Sequence, residues 1–403
     1  MAKRILVYTN HFYPEQFKIN EIVDWISTKD YEVRLITCIP NYPEGKFFEG
    51  YGLRSIKSNY HKNNVIVNRL PLIPRGNGNF FLRILNYTSY FISTFLFTLY
   101  LILFKKKYDY VFVHHTSPIL IAIHPIFYGI FYNSKKILWD LDIWPDTLKA
   151  LKIIKTPIMY KALESIVSYI YSFYDKILIG SEGFEEIIKK RYKKEIIYFP
   201  NWAEVEIEQN SIDFKSELKL SKENFTIMYT GNIGHAQGFD RIAKTINILS
   251  KYKIYWIFIG GGSFKAEFVK LLKYYKVFKK CLMIDQINIS KIPSYVYHAD
   301  ALLLSLNNDF IFTKTVPAKL QSYLALGKPV IASISGEGAK VIKKSKSGIV
   351  EETSDFVKLA DMILKFSKLN KKELIEIGGN GKDYYDRNFS IKLRKKQLLD
   401  LFK

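Results

Sequence analysis

Two series of alternating strand and helix patterns, separated by a polar segment, constrain the fold of this 403-residue chain most strongly. Each series opens with a short apolar run, at Arg4–Thr9 and at Phe225–Thr230, and then alternates helical spacing with further apolar runs. The segment Ala203–Asn224 is polar and holds no such run, which is typical of a linker. The alternation predicts an α/β chain with two Rossmann-like, parallel-sheet domains.

The predicted boundaries follow this rhythm, since the chain is too long for one ordinary core. We expect an N-terminal domain over 1–203, a linker over 204–224, a C-terminal domain over 225–387 and a final helix within 388–403. Further strands are predicted at Glu32–Thr37, Val65–Arg69, Tyr110–His114, Lys136–Trp139, Lys176–Ile179, Ile196–Tyr198, Ile254–Ile259, Ala301–Ser305, Pro329–Ser333 and Gly348–Val350.

The chain is strongly basic, with 60 Lys and Arg against 38 Asp and Glu and a net charge of +22. Such an excess attracts nucleic acid, anionic lipid or phosphorylated substrates, although a compositional bias of the proteome explains it equally well. No aromatic-basic stacking surface or recognition helix is readable, so nucleic acid is not the favoured partner. Cys38 and Cys281 cannot form a disulfide framework, and the N-terminus lacks a signal-peptide pattern, so we expect a cytoplasmic protein.

The stretch from Phe80 to Phe104 is long and apolar enough to span a bilayer, and Arg83 is its only charge. A predicted strand follows it at once, so a spanning helix would separate strands of one domain across the membrane. We therefore expect a helix packed on the sheet, with an exposed face in the membrane interface. The alternative is a fully buried core helix.

The second domain carries its informative residues directly after strands, where parallel sheets bind ligands. The glycine-rich turn TGNIGHAQG (230–238) is suited to a phosphate at a helix N-terminus, or it only changes the chain direction. Gly260–Gly262 would permit close approach of a base or ribose. Lys319 falls in the first turn of a helix that Pro317 begins, where a cation is unfavourable unless an anion is near. Lys319 is therefore a candidate diphosphate ligand.

The first domain offers polar residues at corresponding places. His114 and His115 follow a strand and could contact a hydroxyl or phosphate, although a structural role is equally open. Asp142 and Asp146, in a segment with two Trp residues, suit a sugar, and helix capping is the alternative. Two aromatic and polar loops, 10–20 and 39–46, should line the rim of the same edge.

Taken together, seven stretches resemble family 4 of the retaining glycosyltransferases, which have the GT-B fold, and in particular the bacterial O-antigen and capsule group that includes the L-fucosamine (N-acetyl-L-fucosaminyl) transferase. They are YPEQFKIN, IPNYPEGKFFEGYG, DIWPDTL, SEGF, FPNWAE, GNIGHAQGFD and VPAKLQSYLALGKPVIA. The resemblance spans nearly the whole chain and is specific as a set. It implies two domains facing a cleft, with the final helix crossing back onto the first.

The resemblance also implies a hexosyltransferase. Its donor would be a UDP-sugar carrying an N-acetylated hexose or a deoxy form, and its acceptor a polyprenyl-diphosphate-linked sugar at the inner face of the cell membrane. Front-face attack with retention needs no general base. No metal or cofactor is expected either. By position, the donor would contact Gly231, Asn232, Gly234, Gln237, Gly261 and Gly262, with catalysis by Lys319, His115 and Lys18. Acceptor or sugar contacts would come from His114, Asp142, Asp146, Asn41 and Tyr42.

The chain departs from the family pattern at its most distinctive position. The usual Glu-x7-Glu pair falls at Lys314 and Ser322, so ribose recognition must come from elsewhere, with Gln321 as the candidate. Our hypothesis is that Lys18 and Lys319 supply positive charge from opposite sides of the cleft. The competing functions are a non-catalytic nucleotide-sugar-binding module and a UDP-sugar 2-epimerase of the same fold.

Overall fold

The computed structural model describes residues 2–27, 30–53, 57–59, 65–76, 79–104, 107–203 and 223–403. The chain divides into two compact units. Unit 1 comprises Met1–Pro200 and Lys395–Lys403, and unit 2 comprises Asn201–Arg394. The C-terminal residues thus belong to the unit of the first sheet, as the fold class predicts. Of the predicted linker, all but Ala203 and residues 223–224 lies outside the described residues.

Unit 1 contains an eight-stranded sheet in the order β3-β4-β2-β1-β5-β6-β7-β8. All neighbours are parallel except β3 and β4, which pair antiparallel at one edge. The sequence did not reveal β3, because three residues carry no readable alternation. The strands are β1 Lys3–Thr9, β2 Tyr31–Cys38, β3 Lys57–Asn59, β4 Val65–Leu70, β5 Tyr110–His115, β6 Lys135–Asp140, β7 Lys176–Ile179 and β8 Glu195–Tyr198.

The helices of unit 1 connect these strands. The helix Pro157–Ser172 has a clear start, because the Thr156 side chain accepts a hydrogen bond from Met159 N and Pro157 occupies the first helical position. The last helix of the chain, Ile391–Asp400, is followed by Phe402, whose ring packs against Tyr110 and Phe112 of β5. The helices are α1 Ile19–Ile26, α2 Phe80–Phe104, α3 His124–Tyr132, α4 Asp146–Ala150, α5 Pro157–Ser172 and α6 Glu185–Arg191, with 3-10 turns at Ile119–Ala122 and Glu182–Phe184.

Unit 2 contains a six-stranded, all-parallel sheet in the order β11-β10-β9-β12-β13-β14. Its core gathers aromatic and aliphatic side chains such as Trp256, Phe258 and Phe268. Strand β11 also escaped prediction, because it is short and only half-buried at the sheet edge. The strands are β9 Phe225–Thr230, β10 Ile254–Ile259, β11 Cys281–Ile284, β12 Ala301–Ser305, β13 Val330–Ser333 and β14 Gly348–Glu351.

The helices of unit 2 cover both faces of this sheet, and capping fixes the start of the longest of them. The Asn370 side chain accepts from Glu373 N, while the Glu373 carboxylate accepts from Asn370 N. The helices are α7 Phe239–Ile248, α8 Lys265–Tyr274, α9 Ile292–Val296, α10 Phe310–Thr313, α11 Ala318–Ala325, α12 Glu337–Ser345, α13 Phe356–Phe366 and α14 Lys371–Asn388, with 3-10 turns at His235–Gln237, Phe278–Lys280 and Ile289–Lys291. The final helix, α15 Ile391–Asp400, begins in unit 2, and its residues from Lys395 onward belong to unit 1.

Helix α2 presents its polar side to the protein and its apolar side outward. Its buried face is built from Asn86, Tyr90, Thr94 and Thr98, four residues apart, together with Leu101. The Tyr90 hydroxyl donates to the Thr9 carbonyl at 2.9 Å, and the Thr98 hydroxyl pairs with Tyr8 OH at 3.1 Å.

The outer face of α2 carries large exposed side chains along its whole length: Phe80, Phe81, Ile84, Ile92, Phe95, Leu96, Leu99, Tyr100, Leu103 and Phe104. By length and hydropathy the helix could cross a membrane, but its inner face is hydrogen-bonded to β1 through Tyr90 and Thr98. Only 22% of its most apolar window is buried, so the alternative of a fully buried core helix is wrong.

Candidate functional site

The candidate donor site of unit 2 is built from two glycine turns that pack against each other at the carboxyl edge of the sheet. Gly260, at φ +148°, lies against the Gly231 carbonyl, and a Cβ there would come within 2.0 Å of that oxygen. Gly262, at φ +146°, lies against the Ile233 carbonyl in the same way. These two glycines are therefore required for contact between the turns, whether or not a ligand is bound.

Gly261, by contrast, is open, since a Cβ there would meet only the Gln286 side chain at 4.0 Å. The N–H groups of Asn232 and Gly261 donate to no acceptor in the part of the chain that the structure describes. Both therefore remain available to a phosphate oxygen.

Lys319 lies beside the first of these turns, in the first turn of α11. Its ammonium donates a hydrogen bond to the Tyr229 hydroxyl and lies 3.9 Å from the centre of the Tyr229 ring. A Cβ on Gly231 would come within 2.7 Å of Lys319 Cε, so the absence of a side chain at Gly231 makes room for the lysine. No carboxylate lies in ion-pair range of Lys319 among the described residues.

Burial lowers the pKa of Lys319 to about 7. Tyr229 cannot neutralise the ammonium, because burial raises the pKa of its phenol and keeps it protonated. The phenol instead passes its own hydrogen bond to the Asn232 carbonyl at 2.5 Å. The arrangement therefore holds a partly desolvated cation that lacks a protein counter-ion, which is what a bound anion would supply. No sequence pattern marks Tyr229, because it has the character of an ordinary strand residue.

Two of the predicted donor residues form the turn itself. The Gln237 side-chain oxygen accepts a hydrogen bond from Gly234 N at 2.9 Å. The backbone carbonyl of Gln237 accepts one from the Ser305 hydroxyl at 2.6 Å. The Gly234 N–H is therefore occupied by protein and not free for a phosphate. In this structure Gln237 stabilises the turn, which differs from the predicted role of both residues in lining the phosphates.

Gln321 is the prediction that the structure supports least. Its side chain is 1% exposed, and neither amide atom has a hydrogen-bond partner among the described residues. Two residues apart on a helix, Gln321 and Lys319 point about 200° away from each other. The structure does not bring them together, and a ribose contact from Gln321 is not available in it.

The two predicted histidines of unit 1 are the last residues of β5 and are buried in the sheet, whereas the sequence placed His115 beyond the strand. His114 Nδ1 pairs with the Thr9 hydroxyl at 2.9 Å, and burial lowers its pKa to about 3. His115 Nδ1 pairs with Asp140 at 2.8 Å, while its Nε2 is buried and has no hydrogen-bond partner in the described part of the chain. Neither ring is exposed to a sugar, so the structure assigns both to the interior.

Asp140, to which the sequence analysis assigned no role, is at the centre of the hydrogen-bond network around His115. Its carboxylate also accepts hydrogen bonds from the Tyr171 hydroxyl and from Asp142 N. Burial would raise its pKa, but His115 and the hydrogen bonds outweigh burial and lower it. The sequence run WDLDIWPD contained this residue, yet nothing in the run distinguished its three carboxylates.

Asp142 and Asp146, predicted as sugar ligands, differ in accessibility. The half-buried Asp142 accepts from the Ser117 hydroxyl, which in turn accepts from Trp144 Nε1 at 2.7 Å. Asp146 accepts from the Tyr160 hydroxyl at 2.9 Å and forms an ion pair with Arg191 at 2.7 Å. Asp146 is thus committed to holding α4, α5 and α6 together, and neither carboxylate caps a helix.

The two loops at this edge of unit 1 are joined by Glu15, a residue that the sequence left unassigned. One Glu15 oxygen accepts from the backbone N of Asn41 and of Tyr42, both at 2.7 Å, and the other pairs with His11 at 2.6 Å. Asn41 is buried, and its amide donates to the Ile39 carbonyl, so it supports the loop. Tyr42 remains 40% exposed and is the accessible member of the predicted pair.

Lys18 precedes α1 and forms a 2.5 Å ion pair with Glu21. Because Lys18 and Lys319 belong to different units, the hypothesis that they act from two sides of a cleft stays a prediction. No group of three or more potential metal ligands occurs in the described ranges. The expectation that no metal or cofactor takes part also stays a prediction.

The sequence comparisons with known proteins find glycosyltransferases. Residues 210–383 match the family model described as glycosyl transferases group 1. The putative colanic acid biosynthesis glycosyl transferase WcaI of Escherichia coli (strain K12) is 23% identical over 348 residues, 80% of this chain and 81% of the relative. The probable glycosyltransferase WbjE of Pseudomonas aeruginosa is 24% identical over 336 residues, 79% of each chain.

Solved structures share the whole fold at low identity. Sucrose-phosphate synthase from Thermosynechococcus elongatus superposes with a TM-score of 0.75 at 13% identity, covering 100% of this chain and 98% of that one. Anabaena Alr3699/HepE in complex with UDP superposes with a TM-score of 0.67 at 10% identity, covering 100% and 99%. At identities this low, the similarity shows the fold alone. The superposition over nearly the whole of both chains confirms the predicted GT-B fold class.

Proposed function

We propose that this chain, a group 1 glycosyltransferase, transfers a hexose from a UDP-sugar to a lipid-diphosphate-linked sugar during synthesis of a surface polysaccharide. The single observation that carries the donor assignment is Lys319, a half-buried cation beside an open glycine turn that has no counter-ion among the described residues. The UDP bound by HepE and the colanic acid named for WcaI support the choice of nucleotide and of product class.

In the proposed reaction, the bond between the anomeric carbon and the diphosphate oxygen breaks as the acceptor hydroxyl oxygen bonds to that carbon. The acceptor proton passes to the departing phosphate oxygen, so no protein base is needed, and attack from the same face gives retention. Negative charge develops on the leaving UDP. The Lys319 ammonium and the free N–H groups of Asn232 and Gly261 would stabilise that charge.

The donor assignment is tested by titrating UDP into the full-length protein. Lys319→Met keeps most of the side-chain volume and removes the charge, and we expect UDP to bind about 10- to 100-fold more weakly, the usual contribution of a charge-assisted hydrogen bond. The matched control is Lys365→Met, which removes an exposed lysine paired with Asp361 in the same unit and should leave the affinity unchanged. Equal affinities for the wild type and Lys319→Met would refute the assignment.

The acceptor side of the proposal is carried by the outer face of α2. A large exposed apolar surface on a folded unit is typical of a contact with lipid or protein. Hydrogen bonds on the polar inner face of α2 hold the helix in the orientation that exposes its apolar face. We assign the surface to the interface of the cell membrane's inner leaflet, where a polyprenyl-linked acceptor presents its head group. The exposed Lys107 at the end of the helix, with the net charge of +22, favours anionic lipid.

This assignment is tested by charge substitution on the exposed face. The triple variant Phe95→Glu, Leu96→Glu, Leu103→Glu should move the protein from sedimenting vesicles of anionic phospholipid into the supernatant, while UDP affinity is unchanged. The control is Ile375→Glu, at an equally exposed apolar residue of unit 2. Wild-type protein that remains in the supernatant, or a triple variant that still sediments, would refute the membrane role.

The donor sugar and the stereochemistry need a direct screen. UDP-linked N-acetylhexosamines and their deoxy forms, including the L-fucosamine donor implied by the resemblance, are to be incubated with a lipid-diphosphate sugar. We expect one of them to give a product whose anomeric configuration, read by NMR, matches the donor. An inverted product would overturn the front-face mechanism, and release of an epimerised sugar would favour a UDP-sugar 2-epimerase.

A further inference from the structure

Arg75, which the preceding assignments do not use, is held between two aromatic rings near the start of α2. Its guanidinium lies 5.4 Å from the centre of the Tyr42 ring and 5.2 Å from that of Tyr87. Arg75 Nε donates to the Asn86 side chain at 3.3 Å. The two terminal nitrogens have no acceptor, and no carboxylate lies in ion-pair range, among the residues that the structure describes.

The position of Arg75 is fixed by the backbone as well as by the rings. Gly45, in the loop that carries Tyr42, adopts φ +76° and lies against Gly76, so that a Cβ would fall 1.8 Å from the Gly76 carbonyl. The Gly76 N–H donates to the Gly45 carbonyl at 2.9 Å. A side chain at Gly45 would separate the two segments. The close contact keeps Arg75 against the exposed loop that is predicted to contact the acceptor.

Arg75 also lies where the apolar surface of α2 begins. Asn86, which orients the guanidinium, is on the inner face of that helix and donates to the Ile73 carbonyl at 2.7 Å. Phe80 and Phe81, at the start of the same helix, are 75% and 66% exposed. A planar cation thus lies between a polar loop and an apolar face of the same unit.

We propose that Arg75 binds the diphosphate of an isoprenoid-diphosphate acceptor, whose hydrocarbon chain lies along the apolar face of α2. A guanidinium offers two parallel donors to phosphate oxygens, and the flanking rings restrict it to that geometry. An ordinary phospholipid offers one phosphate and no diphosphate, so recognition here would distinguish the acceptor from the bulk bilayer. The inference rests on the proposed lipid-linked acceptor and assigns its head group to a specific residue.

The test uses vesicles of phosphatidylcholine that contain a few per cent of either geranylgeranyl diphosphate or the uncharged geranylgeraniol. We expect the full-length protein to bind the diphosphate vesicles about tenfold more tightly, and Arg75→Gln to abolish that preference. Arg75→Lys keeps the charge but not the planar pair of donors, and should retain only part of it. Arg83→Gln, which removes an exposed arginine of the nearby helix α2, is the matched control and should bind as the wild type does.

Each arm has an outcome that overturns the proposal. The proposal is overturned if Arg75→Gln keeps the wild-type preference for the diphosphate vesicles. It is also overturned if Arg83→Gln loses that preference to the same extent, because the loss would then reflect unspecific charge attraction. Displacement by inorganic diphosphate at the concentration of the lipid diphosphate would show that the isoprenoid chain plays no part. UDP titration reports folding of the variants, and it separates the two proposals. Wild-type protein that ignores UDP refutes the donor assignment, while the vesicle comparison still decides the role of Arg75.

Discussion

The two units use the polar residues at their strand ends in opposite ways. In unit 1, His115 is paired with Asp140, and Asp146 with Arg191, inside a sealed network. In unit 2, Lys319 is half-buried beside a glycine turn, and its hydrogen-bond partner within the described ranges is a neutral phenol. Both sets lie at the carboxyl edge of a parallel sheet, so position alone does not identify a binding residue. A charged side chain that has no counter-ion among the described residues is a better indicator of a ligand-binding residue than its position at the sheet edge.

Balanced and unbalanced charges have different consequences for stability and binding. Removing one partner of a buried pair leaves an isolated charge, so the loss appears in folding. Removing an unpaired buried cation relieves the protein of desolvation, so the loss appears in ligand affinity. The variants below separate these two behaviours.

The largest expected effect is on the stability of unit 1. Arg191→Met leaves Asp146 buried without its cation, and we expect the free energy of unfolding to fall by about 3–5 kcal/mol, the usual result for a broken buried ion pair. Equilibrium urea denaturation measures it. The control is Arg387→Met, whose exposed pair with Asp383 spans 3.7 Å and should contribute under about 0.5 kcal/mol. Similar losses in the two variants would remove the distinction between the units.

A smaller effect of opposite sign is expected at Gln321. Gln321→Met replaces a buried amide that lacks partners with an apolar chain of similar size, and should raise the free energy of unfolding by about 1–2 kcal/mol. UDP affinity should stay at the wild-type value, because Gln321 points away from Lys319. A tenfold loss of UDP affinity would instead restore Gln321 as a donor ligand.

Much of the fold was predictable because its strands are continuous apolar runs buried on both faces. Strands β7, β9, β10 and β12 were predicted to the residue, since polar loops bound each of them sharply. Edge strands β3 and β11 were not, because a short or half-exposed strand lacks that contrast. For α2, the sequence left two alternatives open, a helix with an exposed apolar face and a fully buried core helix. It did not decide between them, because the buried face is set by contacts with distant residues such as Tyr8 and Thr9.

The site was harder to predict than the fold. Sequence position identified Lys319 through an electrostatic conflict at a helix start, and the structure adds Tyr229 beneath it. Sequence position did not distinguish Asp140, Asp142 and Asp146. Two of these carboxylates are paired, with His115 and with Arg191, and those partners are about 25 and 45 positions away in the sequence. Such pairing depends on tertiary packing and not on the local sequence.

The central claim is that Lys319 receives its counter-ion from the donor diphosphate, and proton uptake tests it most directly. Because burial lowers the Lys319 pKa to about 7, the free protein at pH 8 holds this amine largely neutral, and a bound diphosphate restores the ammonium. UDP is fully ionised at that pH. Calorimetric titration of UDP at pH 8 in buffers of different ionisation enthalpy should show uptake of about one proton by the wild type and none by Lys319→Met. Binding of UDP without proton uptake by the wild type would contradict the account.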